Sequence, residues 1–174
     1  MATANRFFRM TDVSFFANRF PDKGRWNTIS EAMFPELEEN YEDFAAGASP
    51  VEIEVETHIK KLTAGLKLKG TDAEIEGLFA QRDTFTFYGA VVDVRTGEEI
   101  RRTVTCNGRM GAAKPEGFEK GKLHGYEYGI HSILAYNVTQ GDKVIMNWDF
   151  EDPGGLVIGG RPLRRDRAIT LNLA

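Results

Sequence analysis

The feature that most constrains the fold is a strict alternation of apolar and polar residues at positions 51–59. Apolar or β-branched side chains occupy the odd positions and charged or polar ones the even positions: Val51, Glu52, Ile53, Glu54, Val55, Glu56, Thr57, His58 and Ile59. Successive side chains of a β-strand point to opposite faces, whereas a helix repeats every 3.6 residues. The segment therefore predicts a strand with one buried face and one solvated face.

Similar reasoning predicts strands over most of the remaining chain. Alternation returns at 62–68, where Leu66 and Leu68 face the predicted interior. Aromatic and β-branched residues predict four further strands, at 84–94, 99–107, 123–139 and 143–150. Several glycines and Pro115 predict a loop over 108–122.

One short helix is predicted at 72–80. Thr71-Asp72-Ala73-Glu74 matches a capping box, in which Thr71 accepts the backbone N–H of Glu74 and the Glu74 carboxylate reaches back. The apolar residues that follow have helical spacing. The secondary structure of residues 31–46 is ambiguous, because helix-favouring residues there are interrupted by Pro35 and Asn40.

These elements predict a mainly β chain: an antiparallel β-sandwich or barrel with one short flanking α-helix, forming a single domain over residues 1–174. No apolar run in the sequence is long enough to predict a membrane span, and the first residues, which lack a long apolar stretch, are not expected to be a signal peptide. Its formal net charge of −4 argues against binding nucleic acid over its whole surface.

The charges are distributed unevenly along the chain. Residues 26–59 contain no Lys or Arg but nine carboxylates, whereas the C-terminal segment is basic, with Arg161, Arg164, Arg165 and Arg167. The acidic segment forms either a solvated face or a surface for a positive partner. The two segments pair within one subunit or between copies.

No group of residues predicts catalysis, a metal site or a cofactor. The three histidines lie outside metal-ligand spacings, and no nucleophile elbow or phosphate-binding glycine loop is present. Cys106 is expected to be a core residue. A hydrolase built on Cys106 or Asp149 and a ligand-binding β-barrel are the alternatives that remain open beside a structural protein.

The order of several short motifs resembles the major tail tube proteins of contractile-tailed bacteriophages. The motifs span roughly residues 12–168 and follow one another as in that family: Phe34-Pro35-Glu36-Leu37, Tyr41 to Gly47, Pro50-Val51-Glu52-Ile53, Leu62 to Gly70, Phe85-Thr86-Phe87-Tyr88-Gly89-Ala90 and Asn107-Gly108-Arg109. The sequence departs from the family pattern at Ala48-Ser49 and in the basic segment 161–167.

This resemblance implies a structural virion protein without a cofactor. Its copies would form hexameric rings that stack into the inner tube of a contractile tail, through which viral DNA passes without specific binding. The implied partners are other copies of the chain, the sheath protein, the tape-measure protein and the baseplate. The implied location is the phage tail, assembled in the bacterial host cytoplasm. The inner tube of a phage-derived bacteriocin or secretion system is the related alternative.

Three groups of candidate site residues follow from the resemblance and the charge pattern. Glu52, Glu54 and Glu56 are expected to line the lumen, where carboxylates repel phosphate, or else to face outward. The loop with Tyr41, Phe44, Gly47 and Pro50 is expected to contact the neighbouring ring, unless Phe44 folds onto its own core. Arg161, Arg164, Arg165 and Arg167 are the candidate basic contact.

Overall fold

A computed structural model describes residues 7–45, 47, 51–152, 155–163 and 170. Eleven strands and one helix occur in this part of the chain. In order they are β1 (Phe8–Ala17), β2 (Ile29–Met33), β3 (Glu39–Phe44), β4 (Ile53–Ile59), β5 (Ala64–Lys69), α1 (Ala73–Glu76), β6 (Arg82–Asp93), β7 (Glu99–Pro115), β8 (Gly125–Gln140), β9 (Lys143–Asp149), β10 (Val157–Ile158) and β11 (Arg161–Pro162).

Two long antiparallel strands, β7 and β8, organise the main sheet. The C-terminal half of β8 pairs with β9, and its N-terminal half, from Gly125 to Ile130, pairs with β5. The sheet therefore divides at β8 into two arms. The first arm has the order β1-β6-β7-β8-β9-β10-β11, and the second adds β5 and β2 to β8. All the pairings are antiparallel, which confirms the predicted mainly β fold.

One hydrophobic cluster lies between the two arms. Strands β1 and β6 contribute Phe15, Phe85 and Phe87, while β5 and β8 contribute Leu66 and other apolar residues; all are essentially inaccessible to solvent. Aromatic packing extends across the core, since the ring of Phe15 lies 5.0 Å from that of Phe87.

The predicted loop at 108–122 is wrong in its first half, because β7 continues to Pro115. Gly108 and Gly111 are packing positions here rather than turn residues. A Cβ added at Gly108 would lie 2.7 Å from the Ile130 side chain, and one at Gly111 would lie 2.9 Å from the His131 ring. Both glycines let neighbouring side chains approach the strand closely.

Residues 31–46, whose secondary structure is ambiguous in the sequence, contain strands rather than a helix. Residues Glu39–Phe44 form β3, and residues 31–33 are the end of β2. Pro35 is buried between the two strands. The helical spacing of Leu37, Tyr41 and Phe44 thus reflects no helix: Leu37 is about half exposed, and the other two lie in β3.

The helix is present but shorter than predicted, and its N-cap is Asp72 rather than Thr71. Asp72 Oδ1 accepts hydrogen bonds from the backbone N–H groups of Glu74 and Ile75, both at 3.2 Å. The helix spans only Ala73–Glu76. The carboxylate of Asp72 accepts two helix N–H groups together, which satisfies donors that the helix cannot pair itself.

Asp72 also holds a buried arginine. Arg25 is 5% exposed, and its Nε donates to Asp72 Oδ2 at 2.9 Å while Nη2 donates to Glu74 Oε2 at 2.9 Å. Burial would raise the pKa of Asp72, but the hydrogen bonds from Arg25 and from the Ile75 N–H outweigh it, so the pKa is lowered on balance. This ion pair joins the loop after β1 to the helix.

We predict that Asp72→Ala destabilises the free subunit, whereas Thr71→Ala does not. Loss of the N-cap alone costs about 0.5–2 kcal/mol, and loss of the partner of a buried arginine adds to that. Urea unfolding at pH 7 measures both variants. Equal stability of Asp72→Ala and the wild type would contradict this assignment.

The same site predicts a dependence on pH. The pKa of Asp72 is lowered in the folded state, so its stabilisation is present above the usual value of 3.8 and is lost as the pH falls through the lowered value. Asp72→Asn keeps an N-capping oxygen without the charge. Between pH 5 and pH 2, we expect the free energy of unfolding to fall less for this variant than for the wild type. The difference is the pH-dependent contribution of one carboxylate.

Candidate assembly surface

Strands β3 and β4 form a hairpin that stands apart from the main sheet. Each pairs only with the other among the residues that the structure describes. Both outer edges of this two-stranded sheet therefore leave backbone N–H and C=O groups unpaired. The two ends of the hairpin are joined at its base by the Lys60 N–H, which donates to the Glu38 carbonyl at 2.8 Å, and by an ion pair of the same residues.

A β-bulge at Thr57 sets the orientation of the hairpin. Asn40 is opposite His58 and Tyr41 is opposite Glu56, so Thr57 has no cross-strand partner. Its hydroxyl donates to the Asn40 carbonyl at 3.0 Å. A bulge bends a strand and increases its twist, so the hairpin is bent near its base.

The hairpin has one acidic face. Tyr41 is opposite Glu56 and Asp43 is opposite Glu54, and cross-strand partners share a face. Tyr41 Oη donates to Glu39 Oε2 at 2.6 Å. This hydrogen bond, together with the nearby carboxylates, raises the pKa of Tyr41. We call Tyr41, Asp43, Glu54 and Glu56 the acidic face.

The opposite side of the hairpin is exposed and mainly apolar, although Glu42 shares it. Phe44 is opposite Ile53, and Val55 is opposite Glu42. Phe44 is 54%, Ile53 57% and Val55 39% exposed. The alternation at 51–59 thus gives the predicted strand, but the expectation of a buried face is wrong for a single copy, because none of the residues that the structure describes covers it. We call Phe44, Ile53 and Val55 the apolar face.

The three predicted groups of site residues are only partly described. Glu52 immediately precedes β4, which contains Glu54 and Glu56, while Tyr41 and Phe44 lie in β3 and Gly47 follows it. Arg161 is exposed in β11. Pro50, Arg164, Arg165 and Arg167 lie outside the described residues. The structure thus brings Tyr41 and Phe44 together with the glutamates on one hairpin.

Several charges elsewhere on the subunit are paired internally. On the outer side of β5, Lys67 Nζ lies 3.3 Å from Glu31 Oε2 and Lys69 Nζ lies 2.6 Å from Glu116 Oε2. The hydrogen bond from Lys69 lowers the pKa of Glu116. By contrast, Asp43, Glu54 and Glu56 form no ion pair with any residue in the described part of the chain.

The first arm of the main sheet has an outer face without a cation over three adjacent rows, in which the one charged side chain is Asp149 at the β9 edge. The rows run across β6, β7, β8 and β9, and their side chains are mostly hydroxyls and amides: Thr86, Thr105, Asn137 and Asn147; Thr84, Asn107, Ala135 and Asp149; Tyr88, Thr103, Thr139 and Val144. This surface was not predicted from the sequence, although Thr recurs at every second position in 84–86 and 103–105. We call it the neutral face.

A cleft of about 660 Å³ lies beside the base of the hairpin, where β8 changes its partner from β5 to β9. Ser132, whose φ is 49°, lines it together with His58, His131 and Asp149. No hydrogen bond joins any two of these four side chains. A nucleophile requires a base within hydrogen-bonding distance, so the cleft contains no assembled catalytic group.

The remaining candidates for chemistry are also structural. Cys106 is fully buried, and desolvation raises its pKa to about 12. No three His, Cys, Asp or Glu side chains in the described residues come together as a metal site. No helix in the described ranges is long and apolar enough to cross a bilayer.

Comparison with known families decides between the open alternatives. The model of the family described as phage tail tube protein FII matches residues 16–154. The chain belongs to this family. It is a tail tube protein, a structural component rather than an enzyme, and the resemblance noted in the sequence is confirmed.

The structural neighbours of this tail tube protein are distant in sequence. A chain of the extracellular contractile injection system PVC, from its sheath/tube terminator in the extended state, aligns with a TM-score of 0.51 and 9% identity, covering 82% of this chain and 98% of that chain. This likeness supports the fold.

Two other structures align less closely. A chain of the PVC sheath-tube complex aligns with a TM-score of 0.49 and 9% identity, over 77% of this chain and 86% of that one. A chain of the anti-feeding prophage baseplate aligns with a TM-score of 0.46 and 12% identity, over 80% of this chain and 95% of that chain. A search of curated protein sequences gave no match.

We predict that Cys106 of the tail tube protein does not react with a thiol reagent while the subunit is folded. Its side chain is inaccessible and its raised pKa leaves almost no thiolate at pH 8. Reaction with Ellman's reagent should require denaturant and should follow the unfolding curve measured by circular dichroism. Rapid labelling of the native protein would contradict a core role for this thiol.

Proposed function

We propose that this tail tube protein forms stacked hexameric rings, which make up the inner tube of a contractile tail and conduct viral DNA into the host. The observation that carries the proposal is the hairpin β3–β4. It exposes an apolar face and two open strand edges in the single copy. In a structural family, such a surface is best explained by contact with further copies.

The energetics of the hairpin favour assembly. Fully burying one Val, Leu, Ile or Phe side chain contributes roughly 1.5–3 kcal/mol, and the apolar face offers three such side chains. Open strand edges also promote uncontrolled pairing unless they are covered. Contact with a neighbouring copy buries the side chains and covers the edges together. Phe44, together with Tyr41, Gly47 and Pro50, accordingly stays our candidate for the contact between rings.

The main sheet offers a second route for joining copies. Strand β1 pairs only with β6 among the described elements. Near its C-terminal end the other edge is covered, since the Arg25 N–H donates to the Phe15 carbonyl at 3.0 Å. The edge before Val13 is thus available for a strand of a neighbouring subunit. Joining sheets in this way around a ring would close them into a continuous barrel.

We propose that the neutral face lines the bore of the tube. A conduit for DNA requires a wall that does not bind phosphates, and each Lys or Arg contact adds salt-dependent affinity. The three rows of hydroxyl and amide side chains contain no cation. The acidic face, with Glu52 beside it, is the alternative lining, because carboxylates repel phosphate.

The remaining parts of the proposal follow from the family. The sheath protein would surround the tube, and the tape-measure and baseplate proteins would contact its lumen and its end. The single domain would act as one building block of the phage tail, assembled in the host cytoplasm. A phage-derived particle that carries no DNA would use the same tube. Assaying purified particles for encapsidated DNA distinguishes the two.

We predict that Ile53→Glu combined with Val55→Glu abolishes tubes and leaves the subunit folded. Both side chains are exposed in the single copy, so the new carboxylates stay solvated in the free subunit. In the tube they would be buried in an apolar contact, which is strongly unfavourable. Negative-stain electron microscopy measures tubes, and circular dichroism measures folding. The matched control, Ile53→Val with Val55→Ile, keeps the face apolar and should form tubes. Tubes of normal length in the glutamate variant would remove the hairpin from the assembly contact.

We predict that Thr86→Lys with Thr105→Lys slows DNA release from particles. The two residues are cross-strand partners on the neutral face, and lysines there would hold phosphates in the bore. The release rate should recover as salt is raised. The uncharged control Thr86→Ser with Thr105→Ser should release DNA at the wild-type rate. Wild-type release by the lysine variant at low salt would place this face outside the bore and favour the acidic face as the lining.

A further inference from the structure

A row of basic side chains crosses the main sheet at one end of the neutral face. Arg82 of β6 is opposite Arg109 of β7, and Arg109 is opposite His131 of β8. All three are exposed and, as cross-strand partners, share the outer face. We call Arg82, Arg109 and His131 the arginine row.

The arginine row is unfavourable in an isolated subunit. Two like charges directly opposite on neighbouring strands destabilise a sheet. The nearest carboxylate in sequence, Asp83, gives no relief, because it accepts hydrogen bonds from the backbone N–H groups of Arg19 and Thr84. Among the residues that the structure describes, Arg82 donates only to the Asn107 side chain, at 3.2 Å.

Seven other cations of the described residues differ in this respect. Ion pairs with carboxylates are formed by Lys23, Arg25, Lys60, Lys67, Lys69, Lys114 and Lys122. Neither Arg82 nor Arg109 has an ion pair with any residue that the structure describes. Among the strand pairings of the described residues, Arg82 and Arg109 are the one case of two Lys or Arg side chains directly opposite each other. This unpaired juxtaposition of like charges favours a partner outside the subunit.

The acidic face of the hairpin has the charge and the spacing to fit this row. Asp43 and Glu54 are cross-strand partners, as are Arg82 and Arg109. Directly opposite residues have Cβ atoms about 4.5–5.5 Å apart in both sheets. Two carboxylates on one surface thus match two guanidinium groups on the other, and Arg–carboxylate pairs are often bidentate.

We propose that the acidic face of a second copy docks on the arginine row, so that Asp43 and Glu54 pair with Arg82 and Arg109. This inference rests on the proposed function, since it supplies one contact of the tube. The two surfaces are different parts of one chain, so the contact is head-to-tail and is repeated by every copy. It also neutralises the arginines at the end of the neutral face, where free guanidinium groups would hold passing phosphates.

The first test reverses the charge of the row. Arg82→Glu with Arg109→Glu should raise the protein concentration needed for tubes by more than about tenfold, measured by sedimentation and negative-stain microscopy. The matched control is Arg95→Glu, an exposed arginine in the turn between β6 and β7, which should assemble as the wild type does. Thermal unfolding of Arg82→Ala with Arg109→Ala should show a free subunit at least as stable as the wild type, because like charges are removed.

The second test uses mixing. Asp43→Arg with Glu54→Arg should also fail to assemble alone, because arginines then meet arginines. Each of the two charge-reversed variants carries the surface that the other requires, so an equimolar mixture should form tubes containing both. Restored assembly of the mixture is the expected result. Two folded variants that stay unassembled when mixed would overturn the pairing.

The outcomes separate this inference from the proposed function. Failure of the wild-type chain to form any tube would count against the proposed function itself. Wild-type tubes together with normal tubes from Arg82→Glu with Arg109→Glu would overturn only the docking. A row that instead binds nucleic acid would show as wild-type affinity for a short DNA duplex that the charge reversal removes while tube assembly is unchanged, and this too would overturn the docking.

Discussion

The ladder between β7 and β8 is the interaction on which the rest of the structure depends. These strands carry both arms of the sheet, since β8 pairs with β9 through one half and with β5 through the other. The transition lies at 131–134, where four residues of β8 span two residues of β7 and Ser132 adopts a φ of 49°. The bend at this point closes the core between the arms. It also places the cleft, the hairpin base and the arginine row close to one another.

How far the sequence predicts this fold depends on what decided each element. Alternation predicted β4 and β5 because a strand's period is a property of the backbone. It failed to predict which face of β4 is covered, because coverage of Ile53 and Val55 is not decided within one chain. The loop prediction at 108–115 failed for a different reason. Glycine is required there because the Ile130 and His131 side chains approach the strand closely. Such a tertiary contact cannot be recognised from the local sequence.

The candidate site was predicted in the same uneven way. The acidic segment and the exposed Phe44 could be found from composition, since 26–59 lacks any cation. The arginine row could not be found, because Arg82, Arg109 and His131 are distant in sequence and meet only through strand register. The N-cap was misassigned because Thr71 and Asp72 are both good caps. The buried Arg25 favours Asp72, whose second carboxylate oxygen it binds.

The features that are unfavourable in a single copy are complementary to one another. The apolar face exposes side chains to water, the acidic face concentrates carboxylates without cations, and the arginine row sets like charges side by side. A chain selected only for the stability of the free subunit would lose all three. In the proposed tube, the contact between the acidic face and the arginine row would be heterologous, so it would extend from copy to copy. Features that are unfavourable in the free subunit would then become stabilising at every repeated contact.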